Sequence, residues 1–133
     1  VSEEILKLIE EVDPADTDKL DQIDARVESF AHPGVTIETD ATGAFINRCY
    51  ARRYKPPQYT RSRDALKSIR LEGWKNWALF DGYKEGAKFR GEMFSPDQNH
   101  QDIVIQTDWL PTEELAELHA IIQAIAYERE QKG

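Results

Sequence analysis

One cysteine, Cys49, stands alone in the 133 residues, so no disulfide can form within the chain. The lone thiol suits a reducing compartment. No apolar run approaches the roughly 20 residues that cross a bilayer, so no membrane partner is expected. The opening residues do not read as a signal peptide. Seven glycines and six prolines are too few and too scattered for a collagen-like chain or a flexible linker. A glycine-rich phosphate loop is missing too, since Gly82, Gly86 and Gly91 read as turn and strand glycines. Positive charge is short: 17 lysines and arginines face 25 aspartates and glutamates, leaving −8. That excess of carboxylate opposes the counterion release on which nonspecific nucleic-acid binding depends. What the chain does have is 40% hydrophobic residues, with five Phe, five Tyr and three Trp to anchor a core. A chain of this length buries about two-thirds of its unfolded surface and folds without metal or disulfide. One domain over 1–133 is expected, and no cofactor is implied.

The charge is polarised along the chain. Residues 1–31 hold ten acids against three bases, and residues 48–75 hold nine bases against Asp64 and Glu72. Residues 76–133 return to acid, eleven against five. Two readings follow. The basic middle can neutralise acidic helices packed near it. Alternatively, one sign forms a steering surface, acidic for a basic partner or basic for a phosphate backbone.

Ile5, Leu6, Leu8, Ile9 and Val12 recur at spacings of three and four, which predicts a helix over Ser2–Val12. Asp13-Pro14 breaks it. Pro14 is then expected in the first turn of a second helix, capped by Asp13, with Leu20, Ile23, Val27 and Phe30 on one face and acids on the other. His32-Pro33-Gly34 ends this acidic helical part, 1–31. Val35–Thr39 alternates as a strand does, and a hairpin over 35–54 is expected, although the period of 44–54 also admits a helix. Lys55-Pro56-Pro57-Gln58 is a stiff connector. Residues 59–131 read α-β-β-β-α. Thr60 or Ser62 caps a short helix carrying Ala65, Leu66 and Ile69, and Gly73 is expected just past its end. Strands are predicted at 74–80, 87–94 and 102–109. In the first, Trp77 and Leu79 face one way, Ala78 and Phe80 the other. Pro111-Thr112-Glu113-Glu114 starts the last helix, which runs to about Glu130 through Leu115, Leu118, Ile121, Ile122, Ile125 and Ala126. The fold class is α+β, an antiparallel sheet of three or more strands packed against helices.

Catalytic patterns find no support. Asp97, His100 and Asp102 form D-x-x-H-x-D, a spacing that matches no metal motif and suits a plain polar turn. His119 falls near the flank of the last helix with no partner acid or nucleophile in the sequence pattern, and a surface or satisfied histidine is expected. Cys49 has Arg48, Arg52 and Arg53 nearby, which would favour a thiolate, but a buried structural thiol is the simpler reading. Ser62 and Ser95 lack a nucleophile-elbow context. The chain is therefore expected not to be an enzyme. Tyr50, Tyr54 and Tyr59 interleave with Arg48, Arg52, Arg53, Lys55, Arg61 and Arg63. Such a segment serves a protein interface or, less consistently with the net charge, a single-strand binder.

The α-β-β-β-α order is that of double-stranded RNA-binding domains, but those need bases at the start of their last helix. Here that start reads Thr112-Glu113-Glu114-Leu115-Ala116-Glu117, which repels phosphate. Tyr59-Thr60-Arg61-Ser62-Arg63-Asp64-Ala65, followed by Glu72-Gly73-Trp74, resembles the signature of small phage and prophage proteins of the phage αβα-sandwich domain type. Asp18–Val27 resembles their opening helix. The resemblance spans most of the chain, with the central motif its specific part. It implies a fold and a cytoplasmic setting in a bacterial host, and it brings no activity or catalytic residues with it. The expected role is binding to a host or phage protein. In one form, Asp18, Asp21, Asp24 and Glu28 on the outer face of the second helix mimic a phosphate backbone for a basic partner. In the other, Tyr50, Arg52, Arg53 and Tyr54 make the contact. The alternative is nucleic-acid binding by the basic segment 48–63.

Overall fold

A computed structural model describes residues 2–39, 45–47, 52–53, 55–81, 88–95 and 104–132. The chain opens with α1 (Ser2–Glu11) and α2 (Thr17–Ala31). Their junction differs from the expected one. Asp16, not Asp13, caps α2, its side chain accepting from the Lys19 N–H at 3.2 Å. Asp13 instead accepts from the Ala15 N–H at 2.9 Å and stabilises the turn that carries Pro14. Proline fixes one torsion but cannot supply a cap, and the carboxylate that accepts from a free N–H three residues on sets the helix start.

Across 35–54 the expected antiparallel pairing is present, but as three short strands and not as a two-stranded hairpin. β1 (Ile37–Thr39) pairs with β2 (Phe45–Asn47), and β2 pairs with β3 (Arg52–Arg53). The question left open at 44–54 resolves to strand where the chain is described.

The short helix α3 (Arg63–Lys67) follows, capped by Ser62, whose Oγ accepts from the Ala65 N–H at 3.3 Å. Gly73 does not end this helix, which stops at Lys67 with Ser68 as its cap. It holds the third position of a turn that the Trp74 N–H closes onto the Leu71 carbonyl at 3.3 Å, where its φ is 84°. That positive φ is the reason for glycine there.

A second antiparallel sheet has the order β4 (Lys75–Asp81), β5 (Lys88–Phe94), β6 (Val104–Gln106). Among the described residues the last strand stops earlier than predicted. It ends at Gln106, short of the predicted Trp109, although the Thr107 N–H still donates to the Gly91 carbonyl at 3.0 Å and the chain meets β5 again at the pair Phe89–Leu110.

Helix α4 (Glu113–Lys132) is capped by Thr112, whose Oγ1 accepts from the Leu115 N–H at 3.2 Å. Every residue from Leu115 to Ile122 is buried. A helix buried all round has neighbours on opposite sides. Here the β4–β5–β6 sheet lies on one side and α1 on the other. On the sheet side the approach is so close that a Cβ on Gly91 would stand 2.4 Å from the Ala116 carbonyl oxygen. Gly91 therefore lets the α4 backbone seat directly on β5. The core joins Ile5 and Ile9 of α1, Leu20, Ile23 and Val27 of α2, and Leu118, Ile121 and Ile122 of α4. It also takes in Tyr59, Leu66 and Met93.

Candidate functional site

The acids of α2 and the bases that follow Tyr59 meet each other. Asp21, Asp24 and Glu28 recur at spacings of three and four, which sets them in a row along one side of α2. Against that row lies the turn Tyr59-Thr60-Arg61. The Tyr59 hydroxyl donates to Glu28 at 3.2 Å, and the Thr60 N–H donates to Asp24 at 2.9 Å. The Arg61 guanidinium donates to Asp21 at 2.5 Å and to Asp24 at 2.8 Å. Asp24 and Glu28 are only 1% and 4% exposed. They belong to the interior, not to an outer face, and this corrects the phosphate-mimic expectation at those two positions. Asp21 is half-exposed and spent on Arg61. Of the four predicted acids, only Asp18 is open to solvent without a cation bound to it.

Burial pushes the Asp24 carboxyl above the ordinary aspartate range, and hydrogen bonds from Arg61 and Thr60 oppose this without cancelling it. Arg61 loses some basicity to burial, but its bonds to Asp21 and Asp24 outweigh that and hold it charged.

The same basic segment reaches α4. Arg63 pairs with Glu113 and Arg70 pairs with Glu117, whose Oε1 also accepts from Asn76 at 2.9 Å. The motif from Tyr59 to Arg70 is thus a clasp. Its first three residues bind α2, Ser62 caps α3, and Arg63 and Arg70 bind the first turns of α4. Neutralisation of the acidic helices by the basic middle, one of the two readings of the charge pattern, describes Arg61, Arg63 and Arg70.

His119 is the satisfied histidine of the two expected alternatives, not a surface one. It is buried, with Nε2 3.1 Å from Glu10 of α1 and Nδ1 2.8 Å from Gln123. It ties α4 to α1. His32 ends α2 as expected and lies 3.2 Å from Glu28. Arg52 and Arg53 form β3. Tyr50, Tyr54, Cys49, Asp97, His100 and Asp102 lie outside the described residues. Among the described residues no group of three His, Cys, Asp or Glu side chains could hold a metal, and no helix is long and apolar enough to cross a membrane.

An unforeseen feature is the solvent face of the β4–β5–β6 sheet. Gly91, Met93 and Ile105 turn toward α4, so the alternation of a strand puts Arg90, Glu92, Phe94 and Val104 on the opposite face. Leu79 pairs with Arg90 across the ladder, and Val104 pairs with Phe94. The Arg90 guanidinium lies over the Trp109 ring, 5.0 Å from its centroid. Leu79, Val104 and Trp109 are 43%, 48% and 37% exposed. The fourth large exposed hydrophobic among the described residues is Leu8. It edges a small groove between α1 and α2, of about 120 Å³, that Val12 and Ile23 floor. The sheet face had a sequence signal. β4 carries apolar residues at alternating positions on both faces, yet among the described residues helix packs on only one of them.

Compared with protein-family models, with curated proteins and with solved structures, the chain matches none.

Proposed function

We propose that this chain is a non-enzymatic binding protein that engages another protein through the open face of its second sheet. The observation that carries the reading is exposed Leu79 and Trp109 flanking Arg90, which stacks on the tryptophan, with exposed Val104 further along the same face. Aromatic and arginine anchors of this kind dominate the energetics of protein interfaces. The non-enzymatic part rests on how the interior polar groups are used. Asp24, Glu28, Glu117 and His119 each hold a partner on a neighbouring element, which is a structural use. The phage or prophage setting rests on the Tyr59–Trp74 motif.

The acidic-surface reading keeps Asp18 together with Glu3, Glu4, Glu11 and Asp13, all exposed. It loses Asp24 and Glu28. The basic segment 48–63 gives Arg61 to α2 and is weaker as a phosphate-binding surface for that reason.

The test is a pull-down from bacterial lysate, with and without nuclease, using the native chain and the variants Leu79→Ser, Trp109→Ala and Asp18→Lys. The expected result is a nuclease-resistant partner that is kept by Asp18→Lys and lost from the two sheet variants, each weakening capture at least about tenfold. Loss with Asp18→Lys alone would move the contact to the acidic surface. Recovery that vanishes with nuclease would favour nucleic-acid binding by 48–63.

A further inference from the structure

Arg90 differs from the arginines of the clasp. Arg61, Arg63 and Arg70 each meet a carboxylate. Arg90 meets none among the described residues. Its Nε is shut off from water and has no hydrogen-bond partner. One side of its guanidinium is covered by Trp109. Glu92, two residues along the same face, accepts from Gln106 Nε2 at 2.9 Å. The cation is therefore half-dehydrated and, among the described residues, unanswered, with Leu79 beside it and the Phe94–Val104 pair two steps further along the face, beyond Glu92.

A guanidinium lying on an aromatic ring sheds water from one side while its in-plane N–H groups still point outward. That fork matches a carboxylate in two parallel hydrogen bonds. A cation already stripped of part of its water gains more from an incoming anion than an exposed one does. Resting on the sheet-face reading above, we infer that the partner presents a segment in which an aspartate or glutamate stands beside a large apolar side chain. The carboxylate seats on Arg90, and the apolar side chain seats on Leu79 and Trp109. A nucleic-acid phosphate would also suit Arg90. A polyanion, however, would meet Glu92, the exposed Asp108 and a chain of net charge −8. A single carboxylate within an apolar segment meets much less of that repulsion.

The experiment pans a random peptide library displayed on phage against the immobilised full chain. Selected peptides are then synthesised and titrated against the native protein, Arg90→Met, Arg90→Lys and Trp109→Ala. Circular dichroism melts establish that each variant is folded. The expected result is enrichment of Asp or Glu next to Leu, Phe or Trp. Affinity should drop at least about tenfold for Arg90→Met and Trp109→Ala, and less for Arg90→Lys, which keeps the charge but not the fork. Replacing the peptide's carboxylate by its amide should cause the same drop as Arg90→Met. No enrichment, enrichment of Lys or Arg, or equal affinity for Arg90→Met would overturn the inference. So would salt-sensitive binding of oligothymidylate that Arg90→Met abolishes. The two readings fail differently. If Trp109→Ala keeps the lysate partner, the sheet-face reading falls. If Trp109→Ala loses that partner and Arg90→Met keeps it, only the carboxylate is wrong.

Discussion

At the scale of single residues, the chemistry of Asp24 is set by a contest between burial and pairing. Burial raises its carboxyl pKa, and the bonds from Arg61 and the Thr60 N–H recover only part of the shift. A carboxyl whose folded pKa lies above its unfolded value, about 3.9, binds its proton more tightly in the native state. Its stabilising contribution is complete below that unfolded value and is lost as the pH rises through the raised one. Asp24→Asn keeps an acceptor for Thr60 and removes the titration. The unfolding free energy of the native chain, measured against that of Asp24→Asn in urea at a series of pH values, should therefore fall as the pH rises from about 4 and then level off. A difference that grows with pH would mean that Arg61 wins and that the folded pKa is depressed. The presence of these residues was legible in the sequence, and their roles were not. Asp21, Asp24 and Glu28 read as an exposed acidic face because the apolar stripe of α2 accounts for only one side of that helix. Nothing in local spacing announces that a turn more than 30 residues later will cover the other side. The choice between a surface and a satisfied His119 stays open in the sequence for the same reason, since its partner, Glu10, is 109 positions away.

At the scale of elements, the helices were the most legible because their apolar period and caps are local. The starts of α3 and α4 follow from Ser62 and Thr112, and the β1–β2 pairing from alternation, while the third strand of that sheet was not expected. The errors fall where two local devices compete. Asp13 and Asp16 can each cap, and the carboxylate that faces a free N–H three residues on takes the helix start. Gly73 was read as a helix end because glycine serves there and in turns alike, and the distance from Lys67 to Gly73 shows which use applies. The turn use makes a prediction. With φ at 84°, Gly73→Ala puts a Cβ into the left-handed region at a cost of about 1–2 kcal/mol. Asn, which bonds locally and tolerates that region, should cost less. Chemical denaturation of the two variants checks the order. Equal stability of Ala, Asn and Gly at position 73 would mean that the turn relaxes to negative φ. The open sheet face belongs to this scale too. Apolar residues on both sides of β4 were visible, but counting the layers available to cover them required knowing that α1 and α2 stack behind α4 and not on the far side of the sheet.

At the scale of the whole molecule, the sequence displayed the charge separation and left its pairing undecided. The positive segment 48–75 meets α2 through Arg61 and α4 through Arg63 and Arg70, so part of the apparent polarity is internal cross-linking between elements. The layering adds to this. α4 has the sheet on one side and α1 on the other, Arg129 of α4 donates to the Phe30 carbonyl of α2 at 2.5 Å, and Trp74 donates to Glu128 at 3.0 Å. Ile5 and Ile9 of α1 are fully buried, and each contributes about 1.5–3 kcal/mol by burial. Against a total stability of about 5–15 kcal/mol, losing α1 would remove a large share and uncover α4. No layer can leave alone without exposing the common core, so unfolding should be one cooperative event. The protein carries its own probes for this. Its three tryptophans, at 74, 77 and 109, report on the sheet half, while far-UV dichroism is dominated by α1, α2 and α4. The two signals should trace one superimposable transition in urea. If the helical signal is lost while the tryptophan signal remains native, α1 and α2 form a separable layer, and the clasp from Tyr59 to Arg70 does not bind the two halves into one folding unit.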